Sequence, residues 1–166
     1  MKLFLVRHGE AEGAAAGASD AERRLTEEGE ATIRAVAGGL SRMGHAVEKI
    51  VSSPLARAVQ TAGILEEVLA RRGGAGTDAG AVETSPLLLG SAAPEETLGL
   101  LEPGSSTLAL VGHQPHLGRM AGLLLGLDPG RLRLSAGTAL LLTAEGVPRP
   151  GATRLEGLWP PGTFVG

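Results

Sequence analysis

The chain has 166 residues, 43% hydrophobic and 20% charged, which is enough to bury one core, and residues 1–166 read as a single folded domain. A net charge of −3, with two Phe, one Trp and no Tyr, offers neither the field nor the stacking platforms that nucleic acid requires, so no nucleic-acid partner is expected. The absence of cysteine excludes disulfides, thiolate catalysis and thiolate metal sites; it fits a reducing compartment, and the cytoplasm is the expected location.

The opening MKLFLVRHGE has a short apolar run stopped by Arg7 and His8, unlike a secretory leader. Lys2 to Val6 therefore reads as a first strand, buried on both faces as in a parallel sheet. Small residues fill positions 13–18. Ile33, Val36, Ala37, Leu40 and Met43 then recur at three- and four-residue steps, predicting an amphipathic helix with Thr26 as its cap and Gly44 as its stop.

Val47 to Val51 reads as a second strand. Ser52-Ser53-Pro54 places a capping serine before a proline suited to the first helical position, so a second helix is expected from there. Its stripe is Leu55, Val59, Ala62, Leu65 and Leu69, broken by a loop at Arg72-Gly73-Gly74-Ala75-Gly76. Ala81 to Thr84 reads as a short third strand and Pro94 to Leu101 as a short helix. Thr107 to Val111 is an apolar strand ending at Gly112-His113-Gln114-Pro115.

Leu117, Met120, Ala121 and Leu124 give the buried face of another helix, expected to end at Asp128-Pro129-Gly130. Leu132 to Leu134, Thr138 to Thr143 and Thr153 to Leu158 read as closing strands that include an antiparallel edge. No apolar run approaches the roughly 18 to 20 residues that span a bilayer, so no membrane partner is expected. Strands alternating with helices imply a three-layer α/β/α sandwich around a mainly parallel sheet.

In such sheets ligands bind beyond the carboxyl ends of the strands. Arg7 and His8 follow the first strand, Arg57 lies in the first turn of the helix after the second, and His113 follows the strand that begins near Thr107. Two guanidiniums, two imidazoles and a helix N-terminus would thus meet at one sheet edge, and each stabilises a bound phosphate. Without thiolates or a carboxylate triad, this set suits phosphoryl transfer by positioning and charge. A neutral imidazole, with its ordinary pKa of about 6.5, is a competent nucleophile toward phosphorus, and His8 is placed for that role.

These residues carry a resemblance. Phe4-Leu5-Val6-Arg7-His8-Gly9-Glu10 resembles the strand and RHG signature of the histidine phosphatase, or phosphoglycerate-mutase-like, superfamily. Leu25-Thr26-Glu27-Glu28-Gly29, the run from Ser52 to Ala62, and Val111-Gly112-His113-Gln114-Pro115 are similar to its next three blocks, in order. The resemblance implies a phosphoglycerate-mutase-like fold and a phosphohistidine enzyme formed on His8. It further implies Arg7 and Arg57 as ligands of the transferring phosphoryl group, and His113 as a hydrogen-bond donor to it. It implies no metal and no cofactor.

Short length, no large insertion, and Glu10-Ala11 after RHG most resemble the SixA branch, phosphohistidine phosphatases acting on signalling proteins. Larger relatives place an acidic proton donor after the third strand, where Ser85-Pro86-Leu87-Leu88-Leu89-Gly90-Ser91 has no carboxylate, although Glu83 and Glu95 flank it. Imidazole can leave from phosphohistidine after protonation near neutral pH, whereas an alkoxide needs a positioned acid. The expected substrate is therefore a phosphohistidine-bearing protein. The alternatives are a small-molecule phosphomonoesterase and a phosphate-binding module without turnover. His45 and His116 read as structural. Arg23, Arg24, Arg71, Arg72, Arg131 and Arg133 read as solvated charges, and a histidine metal site ranks last for want of ligand spacing.

Overall fold

The computed structural model describes residues 1–13, 19–70 and 82–164; the loop expected at 72–76 and most of the small-residue run at 13–18 lie outside the described residues. The strands are β1 (Lys2–Arg7), β2 (Lys49–Ser52), β3 (Glu83–Thr84), β4 (Thr107–Gly112), β5 (Ala139–Thr143) and β6 (Arg154–Trp159). The helices are α1 (Glu27–Arg42), α2 (Ala56–Leu69), α3 (Pro94–Thr97) and α4 (His116–Leu125). The sheet runs β3-β2-β4-β1-β5-β6, parallel from β3 to β1 and antiparallel through β5 and β6. This is the three-layer α/β/α sandwich with a mainly parallel sheet and an antiparallel edge.

The period of two in the central strands builds the layers. Phe4 and Val6 of β1, with Ala109 and Val111 of β4, pack with Ile33, Val36 and Leu40 of α1 and Leu65 of α2. Leu3, Leu5, Leu108 and Leu110 point the other way, onto Leu117, Met120 and Leu124 of α4. Both faces of β1 and β4 are covered, which is why their sequences read as unbroken apolar runs.

Thr26 caps α1 as expected, its Oγ1 accepting from Gly29 N–H at 3.0 Å, and Gly44 follows the helix with φ +81°. The helix expected over Pro94 to Leu101 is split into α3 and a 3-10 turn at Leu98–Leu100, and four further details differ from the sequence reading. The second helix begins at Ala56, because Ser53 turns its hydroxyl to Leu55 N–H (3.4 Å) and to His113 instead of capping at Pro54. The helix α4 stops at Leu125, where Gly126 takes the left-handed conformation before Asp128 is reached. Met43 and Val59 are exposed, each at the margin of its helix's buried stripe. Leu132 to Leu134 forms no strand: it is held against α4 and Arg7 and pairs with no neighbour in the sheet.

The turn that carries His8 rests on a backbone contact between two glycines. A Cβ on Gly9 would lie 2.8 Å from the Gly29 carbonyl oxygen, and one on Gly29 would collide with the Glu10 carbonyl oxygen. Thr26 N–H donates to that Glu10 carbonyl at 3.0 Å, so the first turn of α1 is seated on the segment after β1. Gly29→Ala should therefore cost about 1–3 kcal/mol, the range for overpacking where backbone must yield. Urea denaturation of the variant measures this, and wild-type stability would show that the contact is looser than described.

Candidate active site

The carboxyl ends of β1, β2 and β4 bring together the side chains singled out in the sequence. Ser53 N–H donates to the Val111 carbonyl (2.9 Å) and His8 N–H to the Gly112 carbonyl (3.2 Å), so the segments carrying His8, Arg57 and His113 leave the sheet side by side. The rings of His8 and His113 stand 4.8 Å apart, centroid to centroid, tilted by 54°. The charges of Arg7 and Arg57 bear on both imidazoles.

The tautomer of His8 is set by its neighbour. Its Nδ1 lies 2.7 Å from the Gly9 carbonyl oxygen, which can only accept, so Nδ1 carries the proton and Nε2 keeps a free lone pair. Burial, reinforced by Arg57, Arg7 and Arg23, outweighs the help of that hydrogen bond and lowers the His8 pKa to about 4. Burial first, then His8 and Arg57, lower the pKa of His113 to about 3. Both imidazoles are neutral at pH 7 beside two guanidiniums.

Arg7 is fixed by Nη1 donating to the Leu134 carbonyl at 2.7 Å, and its buried Nε has no hydrogen-bond partner among the described residues. Burial lowers its pKa, with Glu10 opposing. Arg57 is buried by its position in the first turn of α2. Its Nη1 donates to the Asp20 carbonyl oxygen at 2.7 Å and its Nη2 to the Asp20 carboxylate at 3.0 Å. Those two bonds leave three of the five guanidinium N–H donors outside them. Asp20 also accepts from Arg23 Nη1 at 2.9 Å, and these hydrogen bonds, that of Arg23 foremost, hold its carboxyl below its usual range.

Sequence reasoning did not find the roles of Asp20, Ser53 and Thr61. Asp20 opens a short 3-10 turn whose Ser19 and Glu22 form a reciprocal capping box, and that Ser-x-x-Glu spacing is visible in the chain. Ser53 Oγ lies 2.8 Å from His113 Nε2 in a buried contact. Thr61 Oγ1 accepts from Gly9 N–H at 3.2 Å and donates to the Arg57 carbonyl at 2.8 Å, while Gln60 Oε1 accepts from Leu25 N–H at 2.9 Å. The Gln60-Thr61 pair thus ties three of the four sequence blocks together.

Of the carboxylates flanking residues 85–91, Glu83 reaches Lys49 at the opposite end of β2 (3.1 Å) and is turned away from this edge. The segment meets His113 instead through Gly90, where a Cβ would lie 3.7 Å from His113 Cβ. His116 is buried and structural, its Nε2 3.0 Å from Thr97 Oγ1 and its Nδ1 3.0 Å from the Ala92 carbonyl oxygen. His45 packs its ring against Phe4 and Trp159. Among the described residues, no group of three or more metal-ligating side chains is arranged to hold an ion, and no helix is long and apolar enough to cross a membrane.

Residues 3–77 match the sequence model of the histidine phosphatase superfamily (branch 1). An uncharacterized protein of Picosynechococcus sp. (strain ATCC 27264 / PCC 7002 / PR-6) is 36% identical over 129 residues, 73% of this chain and 71% of that protein. The chain belongs to the histidine phosphatase superfamily. Its fold is shared with the protein histidine phosphatase SixA complexed with tungstate, at a TM-score of 0.79 and 23% identity over 97% of each chain. It is also shared with a phosphoserine phosphatase of Entamoeba histolytica in complex with 3-phosphoglyceric acid, at a TM-score of 0.63 and 21% identity over 99% of each.

The histidine environments give a direct expectation. The folded pKa of His8, about 4, and of His113, about 3, lie below the ordinary value of 6.5, so protonation favours the unfolded chain. The stability these groups contribute is whole above pH 6.5 and is lost as pH falls through that interval. NMR titration of the imidazole C–H signals should give midpoints near these lowered values, with His8 as the Nδ1–H tautomer; midpoints near 6.5 would contradict the described burial. Thr61→Val, which removes the acceptor of Gly9 N–H, should cost about 1–3 kcal/mol in urea denaturation.

Proposed function

We propose that the protein is a metal-independent phosphatase that passes a phosphoryl group through His8, and that phosphohistidine on a protein is its substrate. The observation that supports this most is the 2.7 Å contact of His8 Nδ1 with the Gly9 carbonyl, which leaves Nε2 unprotonated on a ring that feels the charges of Arg57 and Arg7. Arg7 and Arg57 would bind the equatorial oxygens of the transferring group. An arriving dianion would raise the pKa of His113, which then takes up a proton and donates a hydrogen bond to a phosphoryl oxygen.

In the first step the His8 Nε2–P bond forms as the P–N bond of the substrate breaks, and the departing imidazole nitrogen takes a proton. In the second, water forms an O–P bond, the His8 N–P bond breaks, and inorganic phosphate and a proton leave. The absence of a carboxylate from residues 85–91, which meet His113 through Gly90, supports a leaving group that needs no positioned donor. We take residues 1–166 as one domain, in keeping with the single six-stranded sheet, and propose the cytoplasm as its location, since reducing conditions suit a cysteine-free chain.

Incubation with 32P-labelled phosphohistidine peptide followed by alkaline quenching should trap an acid-labile phosphoenzyme, and His8→Ala should abolish both the label and turnover. Arg57→Ala should weaken phosphate binding by about 1.5–3 kcal/mol and lower turnover with it. A panel of phosphate esters run beside the peptide separates protein phosphohistidine from metabolite substrates. Full activity of His8→Ala would refute the assignment.

A further inference from the structure

A second concentration of positive charge adjoins Arg7. A hollow of about 550 Å3 lies between α4 and residues 129–134, and Arg7, Arg119 and Arg133 line it together with Gln114 and Pro115. That volume suits a small ligand or the flank of a larger one, since such sites run from roughly 300 to 1,000 Å3. No Asp or Glu lines the hollow among the described residues.

The hollow is built by backbone contact. A side chain on Gly118 would collide with the Leu132 carbonyl oxygen, and a Cβ on Gly122 would lie 2.8 Å from Pro129 Cα, so the 129–134 segment can lie flat on α4 only because both positions are glycine. The same segment presents the Leu134 carbonyl that holds Arg7, which makes Arg7 the wall common to the hollow and the cleft of His8.

Several arginines elsewhere in the molecule are neutralised by carboxylates. Arg23 and Arg57 share Asp20, Arg34 has Glu67, and Arg131 has Asp128. Arg119 and Arg133 have no ion-pair partner among the described residues, and both are exposed at the hollow's rim. Three guanidiniums around a concavity without a carboxylate attract an anion, and a planar fork favours carboxylate or phosphate.

We infer that this hollow is a second anion subsite, which takes a carboxylate or phosphate carried by the substrate in addition to the transferring phosphoryl group. The inference rests on the proposed reading of Arg7 as a phosphoryl ligand. It assigns the substrate class: phosphorylated molecules, whether protein segments or small esters, that bear a second negative charge near the reacting phosphorus.

The test is read as binding on His8→Ala protein, so it holds whether or not His8 is the nucleophile. Calorimetry compares phenyl phosphate with 3-carboxyphenyl phosphate, and a stable phosphohistidine-analogue peptide with Asp beside the analogue against the same peptide with Asn. The carboxylated member of at least one pair should bind about tenfold tighter, the gain expected of one charge-assisted hydrogen bond. That ratio should fall toward unity when Arg119→Gln and Arg133→Gln are added, and it should shrink as salt is raised. A ratio confined to the esters assigns a small substrate, and one confined to the peptides assigns a protein. Equal affinities within both pairs, or a ratio that survives loss of both arginines, would overturn the inference.

Discussion

The chemistry of the cleft depends on where one proton sits. Gly9 follows His8 directly, and its carbonyl can only accept, so the 2.7 Å contact fixes the imidazole proton on Nδ1 and leaves the lone pair on Nε2. The glycine contact beneath it and the Gly9 N–H bond to Thr61 hold that carbonyl in place. A side chain at position 9 or 29 would move the carbonyl and the tautomer with it. The tautomer of His8 thus reduces, in this molecule, to backbone packing between the first strand's turn and the first turn of α1.

A second constraint is electrostatic. The protein carries a net charge of −3, yet its cleft gathers Arg7 and Arg57 around two imidazoles that burial keeps neutral. Neutral imidazoles remove the repulsion that two further cations would add. Asp20 contributes the opposite charge: it accepts from Arg57 and from Arg23, orienting the Arg57 fork while three of its five donors stay outside those bonds. Because Asp20 is largely exposed, it can balance these guanidiniums without the desolvation that a buried carboxylate would suffer.

Much of this was legible in the chain because the strands and the chemistry coincide. β1 and β4 are buried on both faces and read as unbroken apolar runs, and each is followed at once by a histidine, so the sheet-edge rule located His8 and His113 without side-chain information. Asp20, Ser53 and Thr61 were less visible because their roles depend on contacts 37, 60 and 52 residues away in sequence. The mistaken strand at Leu132 to Leu134 has the same origin. Alternating apolar residues suggested a sheet, but Gly118 and Gly122 let that segment dock on a helix, and no local pattern announces such a contact.

The central claim is that four side chains from distant stretches of chain grip one tetrahedral oxyanion, with Nε2 of His8 in line with its central atom. A crystal structure with vanadate tests it most directly. The account predicts vanadium bonded to His8 Nε2, with oxygens within hydrogen-bond distance of Arg7, Arg57 and His113. Vanadate bonded to Nδ1, or seated away from these four residues, would contradict it.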